Sequence, residues 1–249
     1  MFIEFDNTLT PNEVVERLTT VTLTQSSYRL IPSRFPPVDI YRRVAPPSNW
    51  GAIYEVESMT NPRLKSREKL GISLQTADPS SPRFQNWNHA PFAYANPEGT
   101  TFFSPVFQCL ELADCLQTAL SFAISNREAF LGRTSEEPTG LDMRVLVRPV
   151  TGTFLDGSVL PMEMDVSRRW AIGEAILDAG YDGIVFSPAC RPSGRFVAIL
   201  NPDTLGEAKQ AEHFRFVWDG KAITQIYSFS DGKAWTPEQL RGPQNCLAA

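Results

Sequence analysis

Residues 167–202 read SRRWAIGEAILDAGYDGIVFSPACRPSGRFVAILNP. Trp170, Ala171, Ile172, Ala175, Ile176 and Ala179 recur at helical spacing and give one apolar helix face. Ser167 is a suitable N-cap, and Gly180 stands where a left-handed C-cap would end the helix. After a Tyr-Asp-Gly turn, Ile184, Val185 and Phe186 read as a buried strand. Pro188, Pro192 and Gly194 exclude regular structure from the connection that follows, and residues 195–200 read as a second strand. An ordinary α/β unit with a surface loop has this pattern. So does a scaffold that presents ligand-binding groups on a loop between rigid strands.

A chain of 249 residues fits one large domain or two small ones. Hydrophobic residues at 42% and charged residues at 20% are ordinary globular values, so disorder is not the default. The net charge of -5 argues against a surface that tracks nucleic-acid phosphates. The pairs Arg42-Arg43 and Arg168-Arg169 read as solvated faces. Cysteines 109, 115, 190 and 246 have neither CxxC nor zinc spacing and read as reduced thiols of a cytoplasmic protein. No apolar run approaches the roughly 18 residues of a membrane span, and the acidic start is not a signal peptide. Twenty prolines fit an α+β fold with many irregular connections.

Outside the central stretch, residues 11–20 read as a helix with Pro at its first turn, possessing Val14, Val15 and Leu18 on one face. Residues 28–31 read as a strand, and 48–59 as a helix capped by Ser48 and closed at Asn61-Pro62. Residues 76–100, with four prolines, read as one long loop. Residues 102–103 and 106–110 read as strands, 113–130 as a helix, and 143–150 as a half-buried strand. Asp219-Gly220 marks a hairpin between 214–218 and 222–227. The segment from Pro237 onward reads as loosely held.

The run GYDGIVFSPACRPSGRFVAIL resembles the C-terminal signature of RES-domain proteins, a family named for characteristic Arg, Glu and Ser residues. The likeness extends in order through YRLIPSRFPP at 28–37, TNPRL at 60–64, APF at 90–92 and NPEGT at 96–100. It continues through LQTAL at 116–120, REAFL at 127–131, LDMRV at 141–145 and FVWDGKAI at 216–223. The resemblance implies an α+β fold of the RES and ADP-ribosyltransferase-like kind, a mixed, mainly antiparallel sheet with flanking helices. Its expected organisation is an N-terminal helical extension at 1–27, a RES-like domain at 28–230 and a C-terminal tail at 231–249. It also implies the activity of characterised members, toxins of toxin–antitoxin pairs that consume NAD+.

Breaking the nicotinamide–ribose bond passes through an oxocarbenium-like state that a carboxylate stabilises, while arginines hold the diphosphate. Tyr28-Arg29 matches the family's early aromatic–Arg pair, so Arg29 is the leading phosphate ligand, with Arg34 next. The family's second Arg falls on Thr101, its Glu on Phe122, and its Ser on Pro188 in an inverted Ser187-Pro188 pair. Gln117 is a poor replacement for the Glu, being on another side of the helix. Ser187 replaces the family serine only if the strand has ended there. Tyr28, Arg29, Arg34, Thr101, Phe102, Phe122 and Ser187 are therefore the expected ligand-binding residues. Trp87 and Tyr94 are candidate ligand covers. His89 and His213 lack partners at metal-ligand spacing, so no metal and no cofactor are expected beyond NAD+ as substrate or ligand.

Three readings follow. The first is a divergent RES protein that binds NAD+ or an ADP-ribose-like nucleotide with its cleavage chemistry weakened or rerouted. The second is an active NAD+-degrading toxin whose carboxylate comes from elsewhere, Glu55, Glu57 or Glu111. The third is a non-catalytic relative that works through a cognate, antitoxin-like protein. The apolar Phe122 adds the option of a small molecule other than NAD+. Nucleic acid and membrane are not expected partners.

Overall fold

Thr10 and Glu13 open the first helix, α1 (Pro11–Arg17), by a reciprocal cap. The Glu13 carboxylate accepts the Thr10 N–H at 2.7 Å, and the Thr10 hydroxyl accepts the Glu13 N–H at 3.4 Å. The structure is a computed structural model that describes residues 8–34, 46, 49, 52, 56, 86–93 and 96–247. Val14 and Val15 are buried in the larger core, so α1 is part of the main body. The chain then enters β1 (Thr20–Pro32). The expected boundary after residue 27 falls inside this uninterrupted strand, which also absorbs the shorter strand read at 28–31.

Every residue of β1 has an antiparallel register partner on β3 (Thr139–Asp156), whereas β1 meets β2 (Leu110–Ala113) only at Tyr28↔Ala113. β2 pairs with β5 (Phe196–Ile199), and β5 with β4 (Gly183–Phe186). β4 lies parallel to β3 at Leu155↔Ile184 and Asp156↔Val185. The order β1-β2-β5-β4-β3 thus closes on itself through the β1–β3 ladder. From β3 the sheet continues through β6 (Lys209–Trp218), β7 (Ile223–Ser228) and β8 (Ala234–Trp235). Among the described residues this is a mixed, mainly antiparallel sheet with flanking helices, the architecture expected.

Two cores result. The smaller draws on all five ring strands, through Leu23, Leu112, Phe154, Val185 and Val197, with Phe92 of α2 (Asn86–Ala93) and Leu205. The larger packs the opposite face against α1, α3 (Leu116–Leu131), α4 (Val166–Asp178) and α5 (Pro237–Arg241). Closure buries both faces of β3, so Arg144, Leu146 and Arg148 are buried along with Met143 and Val145. The strand expected to be half-buried is therefore covered on both sides.

The central stretch folds as helix, strand, loop and strand. Asp165 caps α4 by accepting the Ser167 N–H at 2.8 Å, so the cap lies two residues earlier than expected. Gly180 takes the left-handed φ of 76° just past the helix end. The Asp219-Gly220 turn joins β6 to β7, with the Asp219 N–H donating to the Ala222 carbonyl at 3.1 Å. Arg168 donates to the Leu9 carbonyl and Arg169 to those of Thr101 and Met162, so this pair grips the backbone and is not a solvated face.

Three further expectations change. Phe102 and Phe103 are not in a strand; they are fully buried in irregular backbone, and the strand read at 106–110 is β2, from Leu110. The long loop contains α2, which tolerates Pro91. Residues 76–85 and most of the helix read at 48–59 lie outside the described residues, as do Arg42, Arg43, Glu55 and Glu57.

The C-terminal segment is tied down. The buried Gln117 amide donates to the carbonyls of Leu240 at 2.9 Å and Gln244 at 2.8 Å, and its oxygen accepts the Cys246 N–H at 2.9 Å. Ser121 donates to Leu240 as well, and Arg241 pairs with Glu128 at 2.7 Å. Gln117 is a structural hub for this segment.

Two variants probe these contacts. A Cβ at Gly173 would sit 1.8 Å from the Phe102 carbonyl oxygen. Gly173→Ala should therefore cost about 1–3 kcal/mol in urea unfolding, as overpacking against backbone does. Gln117→Leu should leave the sheet intact yet speed carboxypeptidase trimming of the C-terminal segment, followed by mass spectrometry.

Candidate functional site

β1 and β2 share one register pair, Tyr28↔Ala113, with Arg29 next to it on β1 and Glu111 two residues from it on β2. Glu111 lies on β2 opposite Ala198 of β5, so both side chains share the face that carries Phe196. Its carboxylate accepts the Thr101 N–H at 2.8 Å, and the Thr101 hydroxyl adds a second bond. Burial pushes the Glu111 carboxyl above its ordinary range, an effect that Thr101 and the charge of Arg29 partly offset.

The NPEGT turn aims that N–H. Gly99, at φ 71°, closes the turn by donating its N–H to the Asn96 carbonyl at 2.9 Å. A side chain at Gly99 would meet Trp170 and the Phe103 carbonyl, so the position requires glycine twice over. α4 then fixes the turn from above. Trp170 Nε1 donates to the Thr100 carbonyl and Arg169 Nε to the Thr101 carbonyl, each at 3.0 Å. The central stretch thus holds the backbone that holds Glu111.

Positive charge surrounds the opening. Arg29 on β1 is half-buried; burial lowers its pKa, and the charge of Glu111 works against that fall. Arg127 on α3 is also half-buried, its pKa lowered by burial and by the charge of Arg34. Arg34 is exposed just past the end of β1. Inside the ring, Arg148 donates to Asn88 Oδ1 at 2.6 Å, and burial together with the charge of Arg29 lowers its pKa to about 9. Cys109, buried near Glu111, has its thiol pushed well up by burial and by that carboxylate, which disfavours the nucleophilic thiolate.

The residues expected from the sequence divide into three groups. Thr101 holds the Glu111 carboxylate rather than standing in for a phosphate-binding Arg, and Arg29 acts on that carboxylate through its charge. Phe122 packs on Phe196 with ring centroids 4.4 Å apart, while the Phe102 ring is enclosed in the core, 5.2 Å from that of Phe186. Tyr28 is half-buried against the same core. β4 ends at Phe186, so Ser187 lies beyond the strand, half-buried, and Pro188 is buried with its carbonyl accepting the Arg191 N–H at 3.0 Å. The side chains of Trp87, His89 and Tyr94 lie outside the described residues. His213 is within 3.2 Å of the Ser33 hydroxyl, but the neighbouring Asp142 carboxylate is bound bidentately by Arg215 at 2.7 and 2.9 Å, so no serine-protease-like relay forms there.

Arg127, Arg148 and Asn88 escaped sequence reading. Arg127 stands in the quoted REAFL run, and Arg148 in the strand alternation, but neither pattern carries a sign of convergence.

The RES-domain family model matches residues 79–219, and the chain belongs to the RES family. An uncharacterized protein of Sinorhizobium fredii, y4oC, is 45% identical over 229 residues, covering 92% of this chain and 98% of that protein. A solved structure, the M. tuberculosis MbcT–MbcA toxin–antitoxin complex, aligns over 93% of this chain and 94% of the matched chain, at 12% identity and a TM-score of 0.44.

Glu111 gives a testable sign. Its folded pKa is raised, so its ionisation opposes folding, and the penalty grows as pH rises from the ordinary glutamate range through the raised value. Glu111→Gln keeps an acceptor for the Thr101 N–H and removes the charge. Chemical denaturation should show the variant gaining stability relative to the native protein across that window, with little difference at lower pH.

Proposed function

We propose that this RES-domain protein binds NAD+ or a related ADP-ribose-like nucleotide at the opening between β1 and β2, and that Glu111 supplies the carboxylate for cleaving the nicotinamide–ribose bond. The observation that carries the reading is Glu111 itself, half-buried, oriented by Thr101 and close enough to Arg29 for its charge to favour the guanidinium. Phe122, at the position where the family resemblance leads one to expect Glu, lies on Phe196, and Glu111 projects from the same sheet face beside Ala198. In this reading Glu111, on the adjoining strand, takes the part that the family resemblance gives to an acid at position 122.

In this reading Arg29 holds phosphate oxygens through paired N–H donors. The Glu111 carboxylate faces the ribose carbon that becomes electron-poor as nicotinamide leaves with the bonding pair. Water or another nucleophile then takes that carbon. Partial burial strengthens the interaction, since the carboxylate is poorly solvated before the charge develops. A cognate antitoxin-like protein belongs to the same reading, as family membership implies.

Nicotinamide release from NAD+ tests it. The native protein should release nicotinamide above the buffer rate, with the rate rising as Glu111 ionises, above the ordinary glutamate range. Glu111→Gln should lose about two to four powers of ten in kcat, and Arg29→Ala should act chiefly by raising KM. A rate equal to buffer, together with no calorimetric heat from NAD+ or ADP-ribose, would overturn the proposal.

A further inference from the structure

β1 pairs with β3 along one edge over its whole length, but along the other it meets β2 only at Tyr28↔Ala113. Two bonds that continue the β1–β3 ladder fix which residues serve which edge. The Ser33 N–H donates to the Asp142 carbonyl at 2.8 Å, and the Thr19 carbonyl accepts the Asp156 N–H at 2.7 Å. In an antiparallel pair, residues at every second position turn both backbone groups to the same neighbour. The odd-numbered residues of β1 therefore bond to β3, and Thr20, Thr22, Thr24, Ser26 and Tyr28 turn their N–H and C=O groups to the other edge. Tyr28 meets β2 there. The outward backbone groups of Thr20, Thr22, Thr24 and Ser26 have no partner among the described residues.

A row of free N–H and C=O groups is a template for another strand, and proteins blunt such edges with charge, proline or a bulge. This edge has none of these. Residues 18–28, LTTVTLTQSSY, contain no charged residue, no proline and no glycine, and the β1–β3 register runs without a shift from Thr20 to Pro32. Thr20, Thr22, Thr24 and Ser26 are all exposed, so the row lies open. Leu23 and Ser27, on the alternate face, are buried and hold the strand in the sheet.

We infer that this edge is the interface for a second copy of the chain, the two β1 strands pairing antiparallel about a two-fold axis beside Leu23. That register uses every outward group from Thr20 to Ser26. Thr20 of one copy faces Ser26 of the other, and Thr22 faces Thr24, each pair exchanging both of its N–H···O=C bonds. Thr–Thr and Thr–Ser are favourable cross-strand pairs, and no charge in the run sets like against like. The contact is isologous, so it closes at two copies and leaves no further edge of its kind. The inference stands apart from the nucleotide reading, since neither Arg29 nor Glu111 enters it.

Light scattering on the native protein should give twice the chain mass. Thr22→Lys combined with Thr24→Lys sets lysines directly opposite lysines and should leave a monomer whose circular dichroism is unchanged. Thr22→Lys combined with Thr24→Glu puts opposite charges at the same two pairs and should restore the dimer, now weakened by added salt. Residue-resolved hydrogen exchange on the native protein decides the case if the lysine variant fails to fold. The amides of Thr22 and Thr24 should exchange slowly there, as amides paired within a sheet do. A monomeric native protein, a dimer that persists with both lysines in place, or fast exchange at Thr22 and Thr24 would refute the inference.

Discussion

The ladder between β1 and β3 governs this molecule. Each residue of β1 finds a partner on β3, and β3 in turn reaches β4, so five strands close into a ring where an open sheet would have ended. Closure has a direct physical consequence. A strand that would otherwise show one face to water is covered on both, and polar side chains on it must find partners inside. Arg148 does so with Asn88, whose own amide donates to the Gly206 carbonyl at 2.8 Å, tying α2 and the chain after β5 to the ring.

The ring is continuous at β1–β3 and barely joined at β1–β2. That asymmetry places an opening beside the strand edge, where backbone groups are not all committed to sheet pairing. The 96–101 turn fills part of it, held by Trp170 and Arg169, and offers the Thr101 N–H to Glu111. The same helix, α4, presses its Gly173 onto the Phe102 carbonyl, so the turn is gripped by side chains on one part of the helix and by bare backbone on the next. A carboxylate kept in a partly buried place by so much fixed structure is a costly feature for a fold, since burial opposes its charge. Positioned acids of this kind belong to sites more often than to cores.

Around that acid the distribution of charge is lopsided. The chain is acidic as a whole, at -5, yet Arg29, Arg34, Arg127 and Arg148 act on one another electrostatically around one end of β1. The positive charge is therefore local, set within a chain whose overall charge is negative.

The helix, strand, loop and strand of residues 167–202 were legible because their apolar periodicities and glycine and proline punctuation act locally. The family followed from ordered short motifs. Other features were not legible, because they depend on closure and on contacts distant in sequence. The second buried face of β3 follows from strands that meet only in three dimensions, so Arg144 and Arg148 looked solvent-facing. Gln117 looked like an unsuitable catalytic substitute, and its actual partners lie more than a hundred residues away at the C-terminal end. Glu111 was one acidic residue among several until its register opposite Ala198 and its bond from Thr101 singled it out. Local sequence thus determined the elements and the family. Only tertiary structure decided which charges share a site, because burial and Coulomb interactions depend on distance in space and not on separation along the chain.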